Sequence, residues 1–225
     1  MTLVKICGLM HAADVDACCE NGVDLLGIIV QYPQPVPWNV TPQRAELLLR
    51  RVTGATQSCV VTGGEAERVI ALCHVLRPQF VQLQYEESAW EVACIARALR
   101  PLGIRVIKAI PLHADGSVAV SGVEDIPQAV QAFAQAGAAA LLLDTRCPQS
   151  PRMGGGQMDL ALYAQAVQHS PVPVWLAGGL HVQNLPQVLQ RVQPYGVDIL
   201  SGAEREMGNK DIDAICTLCT LAHAF

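Results

Sequence analysis

Charge is scarce in this 225-residue chain, at 16% of residues, and basic charge is scarcer: 20 acidic residues against 15 lysines and arginines leave a net charge of -5. Nucleic acids and anionic membranes are bound through basic footprints that release counterions, so neither is an expected partner. Small molecules are. No apolar run reaches the ~18 residues of a membrane span, and Met1 to Cys7 read as a strand rather than as a charged and apolar export signal. A cytoplasmic protein is expected. A disulfide framework is also missing, because the nine cysteines are odd in number and show no small-domain spacing. Reduced thiols follow. His11, His74, His113, His169, His181 and His223 are scattered without metal-ligand spacing, so no metal and no cofactor is expected.

Hydrophobic residues, by contrast, make up 51% of the chain, ample material for a large core. Apolar runs of strand length recur at Leu3 to Cys7, Leu25 to Val30, Ser58 to Thr62, Phe80 to Leu83, Arg105 to Ile110, Ala140 to Leu143, Val172 to Leu176 and Val197 to Leu200. Amphipathic stretches follow them at Ala12 to Glu20, Pro42 to Arg51, Glu65 to Leu76, Ala89 to Leu99, Ile126 to Gln135, Asp159 to Gln168, Val182 to Gln193 and Asp211 to Ala222. Eight strands, each followed by a crossover helix, suit a closed parallel barrel better than an open sheet with two unpaired edges. The predicted fold is an α/β (β/α)8 barrel occupying residues 1–225 as one domain. Pro33, Pro35 and Pro37 keep the loop from Gln31 to Thr41 extended, in a position to lie over a barrel mouth.

Such barrels carry their chemistry at the carboxyl ends of the strands, which directs attention to the polar residues ending each apolar run. These are Cys7 and Gly8 after the first strand, Gln82 and Gln84 at the fourth, and Asp144 after the sixth. Gly178 and Gly179 follow the seventh strand, and Ser201 and Gly202 the eighth. Glycine turns let backbone N–H groups close on a phosphate ahead of a helix N-terminus. Two of them on adjacent strands match the usual phosphate site of these barrels, although tight turns alone would also use glycine. The plainer readings of Cys7 and Asp144 are a small buried hydrophobe and a helix cap. Cys216 and Cys219 form C-x-x-C inside a predicted helix and read as packing residues, as do Cys18 and Cys19. Glu204, Glu206 and Asp211, interrupted by Lys210, read as solvent-facing charges and a helix start.

Taken in order, Lys5-Ile6-Cys7-Gly8-Leu9, Asn21-Gly22-Val23-Asp24 with Gly27, Val81-Gln82-Leu83-Gln84, Leu142-Leu143-Asp144-Thr145 and Gly154-Gly155 resemble the phosphoribosylanthranilate isomerase family. Ala177-Gly178-Gly179-Leu180 with Asn184, and Val197-Asp198 leading to Ser201-Gly202, Glu204 and Lys210-Asp211, continue the likeness almost to the end of the chain. The resemblance implies an aldose–ketose isomerase of tryptophan biosynthesis, performing an Amadori rearrangement on an N-linked ribose phosphate. It implies Cys7 as base and Asp144 as acid, with Gly155, Gly178, Gly179, Ser201 and Gly202 around the phosphate. Lys5, two residues before Cys7 on the same strand face, would help the thiol to ionise, and an apolar surrounding would keep Asp144 protonated.

The pattern is broken on one side. The family's arginine for the anthranilate carboxylate falls on or near Trp38, and its Gln-Leu-His-Gly reads Gln82-Leu83-Gln84-Tyr85. The glycine segment after the sixth strand is shorter, with Arg152 just ahead of it. Trp38, Gln82, Gln84 and Arg152 therefore join Lys5 as candidate substrate-binding residues. Two alternatives stay open: the same barrel and phosphate site acting on another phosphosugar, and an inactive paralogue that binds a phosphorylated metabolite.

Overall fold

A strand buried on both faces reads as an apolar run, and the eight runs of this chain become the parallel strands of one closed barrel, joined in sequence order with β1 returning to β8. The structure, a computed structural model, describes residues 1–113, 117–120, 123, 125–144 and 160–225. The barrel strands are β1 (Leu3–Cys7), β2 (Leu25–Ile29), β3 (Gln57–Thr62), β4 (Phe80–Leu83), β5 (Arg105–Pro111), β6 (Ala140–Asp144), β7 (Val174–Ala177) and β8 (Gly196–Ile199). The helices are α1 (Ala12–Glu20), α2 (Pro42–Leu49), α3 (Ala66–Leu76), α4 (Ala89–Leu99), α5 (Ile126–Gln135), α6 (Leu160–His169), α7 (Leu185–Val192) and α8 (Ile212–His223). A short antiparallel pair, β9 (Glu204–Glu206) and β10 (Asn209–Lys210), lies between β8 and α8. That pair is too short and too polar to be read from apolar periodicity.

Helix starts follow local chemistry. Thr41 accepts from the Arg44 N–H with Pro42 just inside α2, and Ser88 and Glu91 form a reciprocal capping box on α4. Asp125 and Asp211 cap α5 and α8 in the same manner. The predicted α7 start at Val182 moves to Leu185, because Asn184 folds its side chain back onto His181 and Gly179. The predicted strand start at Val172 moves to Val174, past Pro173, which has no N–H to give a ladder.

Alternation along each strand divides the core in two. Val4, Ile6, Leu26, Ile28, Val60, Val81, Leu141, Leu143 and Val197 face the helices and build the outer layer. Their neighbours Cys7, Leu25, Cys59, Val61, Phe80, Ile107, Ala109, Ala140, Leu142, Trp175 and Ala177 fill the lumen. Four cysteines foreseen as packing residues divide by position. Cys18 and Cys219 are buried, with burial pushing each thiol up to about 12, while Cys19 is half-buried. Cys216 departs from expectation and faces solvent on the outer side of α8.

One polar contact in the outer layer went unforeseen. Lys108 on β5 turns away from the lumen and pairs with Glu87 at 2.9 Å, both side chains wholly buried. Its ammonium also donates to the Leu83 and Tyr85 carbonyls, and Glu87 accepts from the Gly64 and Tyr85 N–H groups. The turn after β4 is thereby pinned to β3 and β5. Glu87→Gln leaves a buried ammonium without its counter-charge and should cost about 3–5 kcal/mol, a fall in melting temperature of roughly 10 °C for a chain of this size. Arg50→Ala, whose partner Glu46 sits in solvent, should leave the melting temperature unchanged within error.

Candidate active site

Because Leu3, Lys5 and Cys7 alternate with residues of the outer layer, Lys5 and Cys7 both point into the lumen, Cys7 nearer its carboxyl end. An ammonium there needs a counter-charge. Asp198 on β8 supplies it, with Lys5 Nζ 2.7 Å from Oδ2 and both side chains buried. Burial works against the Lys5 charge, but the Asp198 carboxylate outweighs it and raises the lysine above its ordinary value. Gly27, paired with Cys7 across β1 and β2, makes the room: a Cβ there would meet both Cys7 Sγ and Lys5 Nζ at 2.9 Å. Both atoms press on one spot, which holds thiol and ammonium within about 6 Å of each other, inside the range where one charge stabilises the other. Cys59, deeper in the lumen, is held as a thiol by complete burial, which pushes it far up despite Lys5.

On β6, Ala140 and Leu142 face inward and Asp144 ends the same face, fully buried at the carboxyl end of the lumen. Gln84 Nε2 donates to Asp144 Oδ2 at 3.0 Å, and Gln82 Nε2 donates to Gln84 Oε1 at 2.6 Å. The ladders run Asp144 to Ala177, Ala177 to Asp198 and Asp198 to Lys5. Thiol and carboxyl thus belong to one lumen, with two strands, β7 and β8, between theirs round the barrel wall. Of the two glutamines named as candidate substrate contacts, Gln84 bonds the carboxyl group and Gln82 bonds Gln84.

The glycine turns are adjacent, as foreseen. Gly178 and Gly179 take φ values of +99° and +64°, open to glycine at no steric cost, and Asn184 braces them by donating to the Gly179 carbonyl at 2.9 Å. Gly202 sits so close to the β7 turn that a Cβ would lie 1.9 Å from the Leu180 carbonyl oxygen. Ser201 is exposed and opens a 3-10 turn, Ser201–Ala203. Among the described residues, the Gly179, Ser201 and Gly202 N–H groups have no internal acceptor. Gly155 and Arg152 lie outside the described residues.

Trp38 closes the mouth on the β1 side. Its indole rests on Gly8, where a Cβ would meet it at 3.1 Å, and its Nε1 donates to Glu204 Oε1 at 2.8 Å. Glu204 corrects an expectation: far from facing solvent, its side chain is 5% exposed and pairs with the buried Lys210 at 3.1 Å. The cause is the β9–β10 pair, which folds Lys210 back over Glu204. Asp211 does begin a helix. Tyr32, also unforeseen, donates its hydroxyl to the Gln84 carbonyl. Among the described residues no three His, Cys, Asp or Glu side chains gather as a metal site requires. A cavity of about 140 Å³ lies at the opposite, amino-terminal end of the barrel, bounded by Leu3, Phe80, Arg105 and Trp175.

A parallel eightfold barrel with Cys7 and Asp144 at the carboxyl end of its lumen, and glycine turns on its last two strands, defines a (β/α)8 barrel with the strand-end arrangement from which such barrels build phosphate sites. The family model described as N-(5'-phosphoribosyl)anthranilate (PRA) isomerase matches residues 4–220, and the chain belongs to that family. It is 32% identical to the N-(5'-phosphoribosyl)anthranilate isomerase of Afipia carboxidovorans over 99% of this chain and 89% of the relative. The crystal structure of phosphoribosyl anthranilate isomerase from Thermotoga maritima superposes with a TM-score of 0.80 at 26% identity, covering all of both chains. A phosphoribosyl anthranilate isomerase in complex with reduced 1-(o-carboxyphenylamino)-1-deoxyribulose 5-phosphate gives 0.77 at 25% identity, again over both whole chains.

Two outcomes follow from the geometry. Gly202→Ala forces backbone apart and should destabilise by about 1–3 kcal/mol, with a raised KM for a phosphorylated substrate. Lys5 titrates above its unfolded value of 10.5, so its ion pair contributes fully below that pH and is lost as pH rises through the folded value. Chemical denaturation should show an alkaline fall in stability that sets in above pH 9.0, where the buried Cys18, Cys59 and Cys219 thiols begin to contribute, and Lys5→Met should remove the part of it that sets in above pH 10.5.

Proposed function

We propose that this protein isomerises N-(5'-phosphoribosyl)anthranilate, an aldosylamine, to the corresponding aminoketose, with Asp144 as acid and Cys7 as base, as a single-domain cytoplasmic enzyme of tryptophan biosynthesis. The observation that carries the reading is the convergence of Cys7 and Asp144 on one end of one lumen, beside the Gly178–Gly179 and Ser201–Gly202 turns.

The chemistry is proton traffic. Asp144 gives its proton to the furanose ring oxygen, the C1–O bond breaks, and the nitrogen lone pair forms the iminium. Cys7, as thiolate, takes the C2 proton, and the C2–H electrons make the enolamine while the C1=N electrons return to nitrogen. Protonation at C1 and loss of the C2 hydroxyl proton complete the ketone, so no redox partner is needed. Lys5 supplies the positive charge that favours the thiolate, and Asp198 keeps Lys5 in place. Backbone N–H groups of Gly179, Ser201 and Gly202, with Gly155 and Gly178 shaping the loops, would hold the phosphate and so align C1 and C2 between acid and base.

Purified protein should turn over N-(5'-phosphoribosyl)anthranilate, and Cys7→Ala and Asp144→Ala should each lower kcat by about 10²–10⁴-fold. Full activity in either variant would end the assignment of that residue. A second reading concerns the nitrogen substituent. Trp38 spends its N–H on Glu204 and presents an apolar wall beside Cys7, which favours a substituent without a carboxylate. Comparing kcat/KM for the anthranilate substrate with that for its aniline counterpart separates the two, since a carboxylate held by a cation would favour the former strongly. Arg152 is the candidate for that cation.

A further inference from the structure

The side chain of Gln84 meets no requirement of the fold that an apolar residue could not meet: it is half-buried, at the end of β4, and its two polar ends are both spent on the site. Its surroundings are fixed. The Gln84 N–H donates to the Thr62 carbonyl, its own carbonyl accepts from the Tyr32 hydroxyl at 3.0 Å, and Lys108 holds the Leu83 and Tyr85 carbonyls on either side. Main chain held at so many points leaves the amide little freedom to swing away from Asp144.

We infer that Gln84, oriented by Gln82, is a positioning residue that decides which oxygen of Asp144 carries the proton delivered to substrate. An amide has one accepting and one donating end. The Gln82 NH2 occupies the accepting end of Gln84, so the donating end must face Asp144, and it meets Oδ2. In a carboxylic acid the carbonyl oxygen is the better acceptor, so a donor at Oδ2 makes Oδ2 the carbonyl and assigns the acidic hydrogen to Oδ1. As that proton leaves, the bond at Oδ2 becomes charge-assisted and strengthens. The donor therefore contributes more as the proton moves than before it moves, the condition for raising kcat rather than tightening binding.

Gln82 supplies an independent sign of this priority. Its side chain is 2% exposed, and its Oε1 is buried with no hydrogen-bond partner among the described residues. A methionine of the same length would fill the lumen without that orphaned acceptor, so packing does not explain the amide. Orientation of Gln84 does.

The inference rests on Asp144 being the acid, and the test separates the two. Gln84→Met and Gln82→Met keep length and remove the donor, while Gln84→His restores a ring N–H at similar reach. Gln84→Met should lower kcat about 10- to 100-fold with KM changed by less than about threefold. Gln82→Met should lower kcat in the same direction by less, in a protein at least as heat-stable as the parent, and Gln84→His should recover most of the loss. If instead KM rises while kcat holds, Gln84 contacts substrate directly and the inference fails. It fails equally if kcat stays at the parent value in folded Gln84→Met, or in Gln84→Ala should the methionine variant not fold. Asp144→Asn is the control: an active Asp144→Asn defeats the acid assignment itself, whereas an inactive one beside a fully active Gln84→Met defeats only the positioning role.

Discussion

The ion pair between Lys5 and Asp198 crosses the seam where the first strand meets the last, and it fixes a buried positive charge near the Cys7 thiol. At 2.7 Å and out of water, it joins two residues 193 positions apart along the chain at the one junction no crossover helix bridges. Two charges so deeply buried bring stability only while they face each other, since removing one leaves the other without compensation. The same ammonium comes within about 6 Å of the Cys7 thiol because Gly27 has no side chain to intervene. A seam that carried two leucines instead would close as well but would bring no charge to the thiol.

Much of the barrel was legible in the chain because helix-facing and lumen-facing strand surfaces are both apolar, which makes each strand a short continuous run. Leu3–Cys7, Phe80–Leu83, Ala89–Leu99 and Ile126–Gln135 lie where periodicity puts them. Errors gathered where local polar chemistry sets an end, as at Asn184 before α7 and Pro173 before β7. The thiol, the carboxyl and the glycine turns were legible because each ends an apolar run. What periodicity could not show is which polar residues meet across the barrel.

Asp198 and Lys5 carried a signal of a kind: charges set inside apolar strands on the lumen-facing phase must be paired. Glu87 and Lys108 carried it less clearly, because Glu87 stands in a polar turn and only its partner's burial shows that it is buried too. Glu204 misled for the opposite reason. Its neighbours Arg205 and Glu206 are exposed, and only the fold-back of β10 takes it out of water. Gln84 is the subtlest case, for nothing in a lone amide at a strand end indicates that its two ends are already committed.

The tie from Trp38 to Glu204 has a consequence for how this cleft can change. Glu204 stands close along the chain to Ser201 and Gly202, and the indole it holds rests on Gly8, immediately after Cys7. The wall that Trp38 makes beside Cys7 and the loop beyond the last barrel strand are therefore one mechanical piece. Remodelling this side of the mouth would displace the loop that flanks the Ser201–Gly202 turn, so a change on one side must be matched by a change on the other.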